Sequence, residues 1–224
     1  MRAYMKPKPS IRIQPLEVQK PTLAPMPDGS AQHWCSPFDG IGLSAAVKVF
    51  ITQPAYAIMC VHASGDMEQE TGGMLVGQWC ADIETDAEFI VVEHALPARY
   101  TRQGSVYLTF TQDTIVTIHD EIEKRYPDKQ IVGWYHTHPK MGIFLSHYDT
   151  WLHSNFFPEP WQVALVIEPH KKLGGLFIRQ TDGELDPSRY FGFYEMENNP
   201  KWSIVQWNNL HRVIENTQAG GLNL

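Results

Sequence analysis

From about residue 45 onward, apolar and polar positions fall into regular order. VKVFIT (47–52) alternates with the period of a strand, and PAYAIMCVHAS (54–64) follows as a helix with Pro54 in its first turn. TGGMLVGQW (71–79) reads as a strand whose glycines permit close backbone approach, and EFIVVEHAL (88–96) and SVYLTF (105–110) as two more. In TQDTIVTIHDEIEKRY (111–126), Ile115, Ile118 and Ile122 recur at helical spacing, with Lys124 and Arg125 in the last turn. QIVGWYHTH (130–138) predicts a strand running into a loop, and SHYDTWLHSNFF (146–157) a short helix closed by Pro158. WQVALVIEP (161–169), LGGLFIRQT (173–181) and RYFGFYEM (189–196) predict successive strands. In WSIVQWNNLHRVIENT (202–217), Ile204, Trp207, Leu210 and Val213 or Ile214 share one helical face, which predicts a C-terminal amphipathic helix.

Strands separated by helices in this order make an α/β domain with a central mixed sheet flanked by helices. Residues 1–40 differ: prolines recur at 7, 9, 15, 21, 25, 27 and 37 with little apolar periodicity, which predicts an extended arm draped over the body. The division expected is therefore an arm over 1–40, a domain over 41–197, and a helix with tail over 198–224. The diglycine in AGGLNL (219–224) reads as a frayed end after a helix.

Composition narrows the partners. With 43% apolar residues and seven tryptophans in 224 residues, the chain can bury a core of one ordinary domain. A formal charge of -7 argues against nucleic acid, whose phosphates need a concentrated basic face, and leaves a protein or small molecule as partner. The three cysteines, Cys35, Cys60 and Cys80, form no C-x-x-C pair and suit buried or idle thiols in a reducing compartment. The N-terminus lacks the apolar stretch of a signal peptide, and no apolar run is long enough to span a bilayer. The expected location is cytoplasmic, without a membrane partner.

The chemistry concentrates in GWYHTHPKMGIFLSHYD (133–149). His136 and His138 stand two apart on a strand, so both imidazoles point to one face and suit zinc. Pro139 ends the strand, and a loop leads to Ser146, positioned to cap the next helix, with Asp149 in its first turn. Two histidines and an aspartate leave one tetrahedral position open, as catalytic zinc requires. Each piece also has a plainer reading. Two histidines at a strand end occur as surface or core hydrogen-bonding residues, and Ser146 with Asp149 is a variant capping box. His33, His62, His94, His119, His147, His153, His170 and His211 show no comparable grouping and read as structural or solvent-facing. Trp134 reads as core packing and Tyr135 as a wall near the site.

HTHP, with seven residues between His138 and Ser146, then S-x-x-D resembles the JAMM signature of MPN-plus (Mov34/JAB1-type) metalloproteases. The flanks GWYHTHP, FLSHYD and VALVIEP agree, and the similarity covers roughly residues 45–196. The resemblance implies a cytidine-deaminase-like MPN/JAB fold. It also implies an upstream glutamate before a small-residue strand; ETGGMLVG (70–77) supplies Glu70, with Glu68 as the nearby competitor. By the same resemblance, zinc is held by His136, His138 and Asp149, Glu70 is the general base and acid, and Ser146 donates to the oxyanion. The implied activity is cleavage after the C-terminus of ubiquitin or a ubiquitin-like protein, in a bacterial deubiquitinase-like member, with activating and conjugating enzymes as associated proteins. One alternative is processing of a sulfur-carrier protein to expose its diglycine end. Another, of a different class, is a non-catalytic zinc-binding interaction module. A nucleobase deaminase would need a P-C-x-x-C segment, which this sequence lacks.

Overall fold

The computed structural model describes residues 19–42, 44–98, 101–104, 107–110, 112–196 and 202–213. In chain order the elements are β1 (Thr22–Ala24), a single 3₁₀ turn (Asp28–Ser30), β2 (Ala31–Cys35), β3 (Lys48–Thr52), α1 (Gln53–Ala63), β4 (Gly72–Asp82) and β5 (Glu88–Pro97). They continue with β6 (Thr101–Gly104), β7 (Tyr107–Phe110), α2 (Gln112–Arg125), β8 (Gln130–Thr137), α3 (His147–Phe156), β9 (Val163–Glu168), β10 (Leu173–Phe177), β11 (Phe193–Met196) and β12 (His211–Arg212).

One mixed sheet organises the molecule, in the order β10-β9-β8-β4-β5-β3-β11-β2-β12, with β1 pairing the far end of β4. The pairs β8–β9, β3–β5, β3–β11 and β1–β4 are parallel and the rest antiparallel. The hairpin β6–β7 forms a separate two-stranded sheet. Strand residues such as Ile51, Leu75, Ile90, Val132 and Leu165 are fully buried, each contributing about 1.5–3 kcal/mol of transfer free energy.

Helices cover both faces, as expected of an α/β sheet, and β8 shows how. Its side chains alternate between faces. Trp134 Nε1 donates to His153 Nδ1 of α3 at 3.1 Å, whereas the Tyr135 hydroxyl meets His62 Nδ1 of α1 at 2.9 Å. Helix α3 therefore lies on the Trp134/His136 face and α1 on the opposite one. Tyr135 does not wall the site; it packs behind the sheet, where glycine at 73 makes room for it. A Cβ on Gly73 would lie 2.2 Å from Leu96 O and 2.7 Å from Tyr135 Cε1. Helix α1 starts where Thr52 Oγ1 accepts from Ala55 N, with Pro54 in the first turn, and it buries Ala55, Tyr56, Met59 and Ala63.

Two expectations are corrected at the chain's ends. Residues 22–35 of the expected arm are built into the sheet: β2 lies between β11 and β12, and Pro21, Pro25, Pro27 and Pro37 fall outside the strands, where a missing N–H costs no ladder bond. At the other end residues 202–213 form no helix, ending instead in β12. Their polar groups bond to distant chain. Asn209 pairs both ways with the Gly174 backbone (2.9 and 3.0 Å), Asn208 N donates to Lys172 O, and Gln206 N donates to the Tyr56 hydroxyl. Trp207 and Leu210 are buried as their spacing suggested, but Trp207 lies flat on Gly174, where a Cβ would come within 2.1 Å of the indole. The rest of the expected helix and the diglycine tail lie outside the described residues.

Candidate metal centre

The centre forms where β8 ends and α3 begins. His136 is the penultimate residue of β8, and His138 follows two positions on, its N–H held by Ile167 O of β9 at 2.8 Å. Ser146 and Asp149 make a reciprocal capping box: Ser146 Oγ accepts from Asp149 N at 3.2 Å, and Asp149 Oδ2 accepts from Ser146 N at 2.7 Å. The capping role and the site role coincide, because that reach back turns the Asp149 carboxylate towards the histidines. His136 Nε2 and His138 Nε2 lie 2.9 Å apart, and the carboxylate oxygens lie 3.4 Å from the first and 3.5 Å from the second.

Two ligands about 2.05 Å from a tetrahedral zinc stand about 3.3 Å apart, so these separations fit one ion. Two imidazole nitrogens and a carboxylate facing one another repel unless a proton or cation sits among them. Burial lowers the pKa of His136, against the pull of Asp149, which favours the neutral ring that ligation needs. Burial also pushes the Asp149 carboxyl up, but hydrogen bonds from His136, His138 and Ser146 outweigh it and hold the group well below the usual carboxylate range. Metal-bound imidazoles usually donate their second N–H to an acceptor. Here neither Nδ1 has a hydrogen-bond partner among the described residues, and ring contacts hold the planes instead. Trp134 stacks on His136 at 4.5 Å and 10°, and Phe144 lies against His138 at 4.7 Å.

Glu70 enters from the segment before β4. It is 1% exposed, its Oε1 lies 3.9 Å from His138 Nε2, and its Oε2 has no hydrogen-bond partner among the described residues. Burial pushes its pKa up to about 7; His138 works against the rise, and Asp149 adds to it. Glu68, the competitor, points into solvent and pairs with Lys140 Nζ at 2.8 Å. The structure thus brings Glu70, His136, His138 and Asp149 together, with Ser146 at the rim.

One positioning residue escaped the sequence reading. Glu168, fully buried at the end of β9, accepts backbone N–H bonds from Lys140 (3.0 Å), His170 (3.0 Å) and Lys171 (2.8 Å). It clips the turn after His138, where Lys140 has a left-handed backbone (φ 65°). Its carboxyl pKa is lowered, those three N–H bonds outweighing the upward push of burial. The VALVIEP stretch was read only as a strand; a glutamate at its end beside a proline was the available signal.

Residues 44–157, just over half of the chain, match the family described as JAB1/Mov34/MPN/PAD-1 ubiquitin protease. The chain belongs to this family. Glu70, His136, His138, Ser146 and Asp149 lie within the matched region, and the mixed sheet with helices on both faces is consistent with the MPN/JAB fold. Among curated relatives, COP9 signalosome complex subunit 5 of Kluyveromyces lactis is 32% identical, covering 57% of this chain and 33% of that protein. Ubiquitin carboxyl-terminal hydrolase RPN11 of Saccharomyces cerevisiae is 26% identical over 58% of this chain and 41% of its own. NAD(+) hydrolase TcpA of a Theionarchaea archaeon is 36% identical over 32% of this chain and 21% of its own. The chain spans about a fifth to a half of the length of such relatives. A solution structure of a Desulfitobacterium hafniense protein aligns with a TM-score of 0.48 and 21% identity, over 63% of this chain and 91% of the other. No helix among the described residues is long and apolar enough to cross a membrane.

Proposed function

We propose that this family member is a zinc-dependent hydrolase that cleaves the peptide or isopeptide bond after the C-terminus of ubiquitin or a ubiquitin-like protein. The observation carrying the reading is a buried carboxylate, Glu70, held 3.9 Å from one nitrogen of a His-His-Asp set spaced for one ion. The family description and the printed name of the yeast hydrolase relative support the substrate class.

His136, His138 and Asp149 would hold zinc and leave a fourth position open. Bound there, zinc would supply a polarised carbonyl and a water acidified from far above neutral towards a pKa of about 7. Glu70 then takes the proton of the attacking water and delivers it to the departing amine. A carboxyl pushed up to about 7 by burial suits both halves of that transfer near neutral pH. Ser146, whose Oγ accepts from Asp149 N and whose O–H lies beside the Asp149 carboxylate, would turn that O–H to donate to the oxyanion.

The test incubates purified protein with diubiquitin and with ubiquitin-like fusions, including a sulfur-carrier protein, with and without chelator. Cleavage is expected only without chelator. Glu70→Gln is expected to keep zinc and lose about 10²–10⁴-fold in turnover. His138→Ala and Asp149→Ala are expected to lose both zinc and turnover. Full turnover in Glu70→Gln overturns the role given to Glu70, and zinc binding without cleavage of any of these substrates overturns the hydrolase reading and leaves a non-catalytic zinc module.

A further inference from the structure

The outer strands of the sheet carry a second convergence of metal-ligating groups, on residues outside the family-matched region and separated from β8 by four intervening strands. His33 and Cys35 stand two apart on β2 and share a face. Cys35 Sγ lies 3.5 Å from His33 Nε2, and the His33 ring is fixed by stacking on Tyr194 at 4.2 Å and 5°. Two ligands about 2.3 and 2.05 Å from a tetrahedral zinc stand about 3.5 Å apart. Asp39 completes a set of three whose ligand atoms all lie within 4.8 Å of one another. Its carboxylate is oriented by Ser36 N (2.8 Å) and Gly192 N (3.1 Å) on Oδ2 and by Ser36 Oγ (3.1 Å) on Oδ1, the outer hydrogen bonding that metal-binding carboxylates show.

The strand register adds a fourth group. His211 of β12 is paired directly with Cys35 in the antiparallel ladder, so the two side chains share a face as near neighbours, and His211 is exposed. On the other flank, continuing the Phe193↔Trp34 register sets Gly192 opposite Cys35, packed so closely on β2 that a Cβ would lie 1.7 Å from Trp34 O. A cavity opens there between His33, Asp39, Gly192 and Tyr194. The nearby cation, Lys48, is already paired with Asp28 at 2.8 Å.

We propose that His33, Cys35, Asp39 and His211 bind a second zinc ion that staples β2, the loop after it and β12 to one another. The ligand atoms of His33, Cys35 and Asp39 already converge, and His211, turned in from β12, would complete a closed tetrahedral set of one sulfur, two nitrogens and one oxygen, which is structural rather than catalytic chemistry. Binding takes the Cys35 thiolate and releases its proton to solvent. Affinity for metal therefore rises with pH.

The test titrates cobalt(II) into the metal-free full chain while metal content and absorption are followed. Sulfur is absent from the His136/His138/Asp149 set, so a thiolate-to-cobalt charge-transfer band reports the new site alone. The wild-type chain is expected to take a second equivalent with that band, and Cys35→Ser to lose both while keeping the other equivalent. His211→Ala is expected to weaken cobalt binding at this site by at least tenfold. A wild-type chain that saturates without the band, or a band that survives in Cys35→Ser, overturns the proposal; unchanged cobalt affinity in His211→Ala overturns the fourth ligand.

Discussion

Ser146 is asked to do two things, and the structure says how to separate them. Its Oγ accepts from Asp149 N at 3.2 Å as the cap of α3, and its O–H is assigned to the oxyanion. Ser146→Ala removes both. Loss of a serine cap costs about 1 kcal/mol, which for a chain of this size lowers Tm by about 2–4 °C. Loss of one oxyanion donor costs about 2.7–4 kcal/mol of barrier, or about 10²–10³ in kcat. Zinc should stay bound, because the backbone N–H at 146 still reaches Asp149 Oδ2, now at 2.7 Å. Ser146→Gly separates the two effects, since glycine as a cap costs only a few tenths of a kcal/mol but carries no hydroxyl. Tm should then recover while kcat stays low, and Ser146→Thr should restore both. The assays are thermal melting, metal analysis and kcat on one substrate. If kcat follows Tm across Ala, Gly and Thr, or if zinc is lost in Ser146→Ala, the hydroxyl is only a cap and the oxyanion assignment fails.

Three further outcomes follow from buried groups elsewhere. Burial, with Arg179 adding to it, pushes the His153 pKa down to about 3. Between about pH 6.5 and 3 the unfolded chain therefore binds a proton that the folded chain refuses, and stability falls with falling pH by up to about 5 kcal/mol. His153→Gln can still accept from Trp134 Nε1 without titrating, so metal-free His153→Gln should show a shallower loss over that window; parallel profiles by chemical denaturation would refute the assignment. Glu168→Gln keeps the shape but loses acceptor capacity for three N–H groups, and should cost about 1–3 kcal/mol and weaken zinc binding through the turn after His138. An unchanged Tm and zinc affinity would show that the clip is idle. Gly73→Ala forces a Cβ against Leu96 O and Tyr135, and should cost about 1–3 kcal/mol by denaturant midpoint, whereas relief in Gly73→Ala/Tyr135→Leu would confirm which contact is responsible.

The central elements were legible because their apolar periods are strong and local: β3, α1, β4, β5, α2, β8, α3 and β9 lie where alternation or helical spacing put them. The ends were not, for a shared physical reason. Ile204, Trp207 and Leu210 have helical spacing, yet Asn208 and Asn209 find partners on Lys171 and Gly174, contacts that no local window contains. β2 is five residues between prolines, and only pairing with β11 and β12 makes it a strand. His33 and Cys35 were legible as a same-face pair once β2 is a strand, whereas His211 joins them only through tertiary register. The placing of Tyr135 was an avoidable error, since alternation through Trp134 and His136 already sends it to the other face.

The choice between Glu68 and Glu70 shows what register adds to a motif. In the β4–β8 ladder Gly72 stands opposite His136 and Gly73 opposite Tyr135. Continuing that antiparallel progression by two residues sets Glu70 opposite His138, and by two more sets Glu68 opposite Lys140; both contacts are present, at 3.9 and 2.8 Å. Alternation would put both carboxylates on the face of the histidines, so the face alone does not choose between them. Depth does: Thr137 N donates to Thr71 O and Thr71 N to the Thr137 hydroxyl, both at 2.8 Å, and Glu70 beside them is buried, while Glu68 lies past them in water. A carboxylate that must hold a proton near neutral pH needs that burial, and a one-residue slip of β4 would exchange Glu70 for an uncharged neighbour.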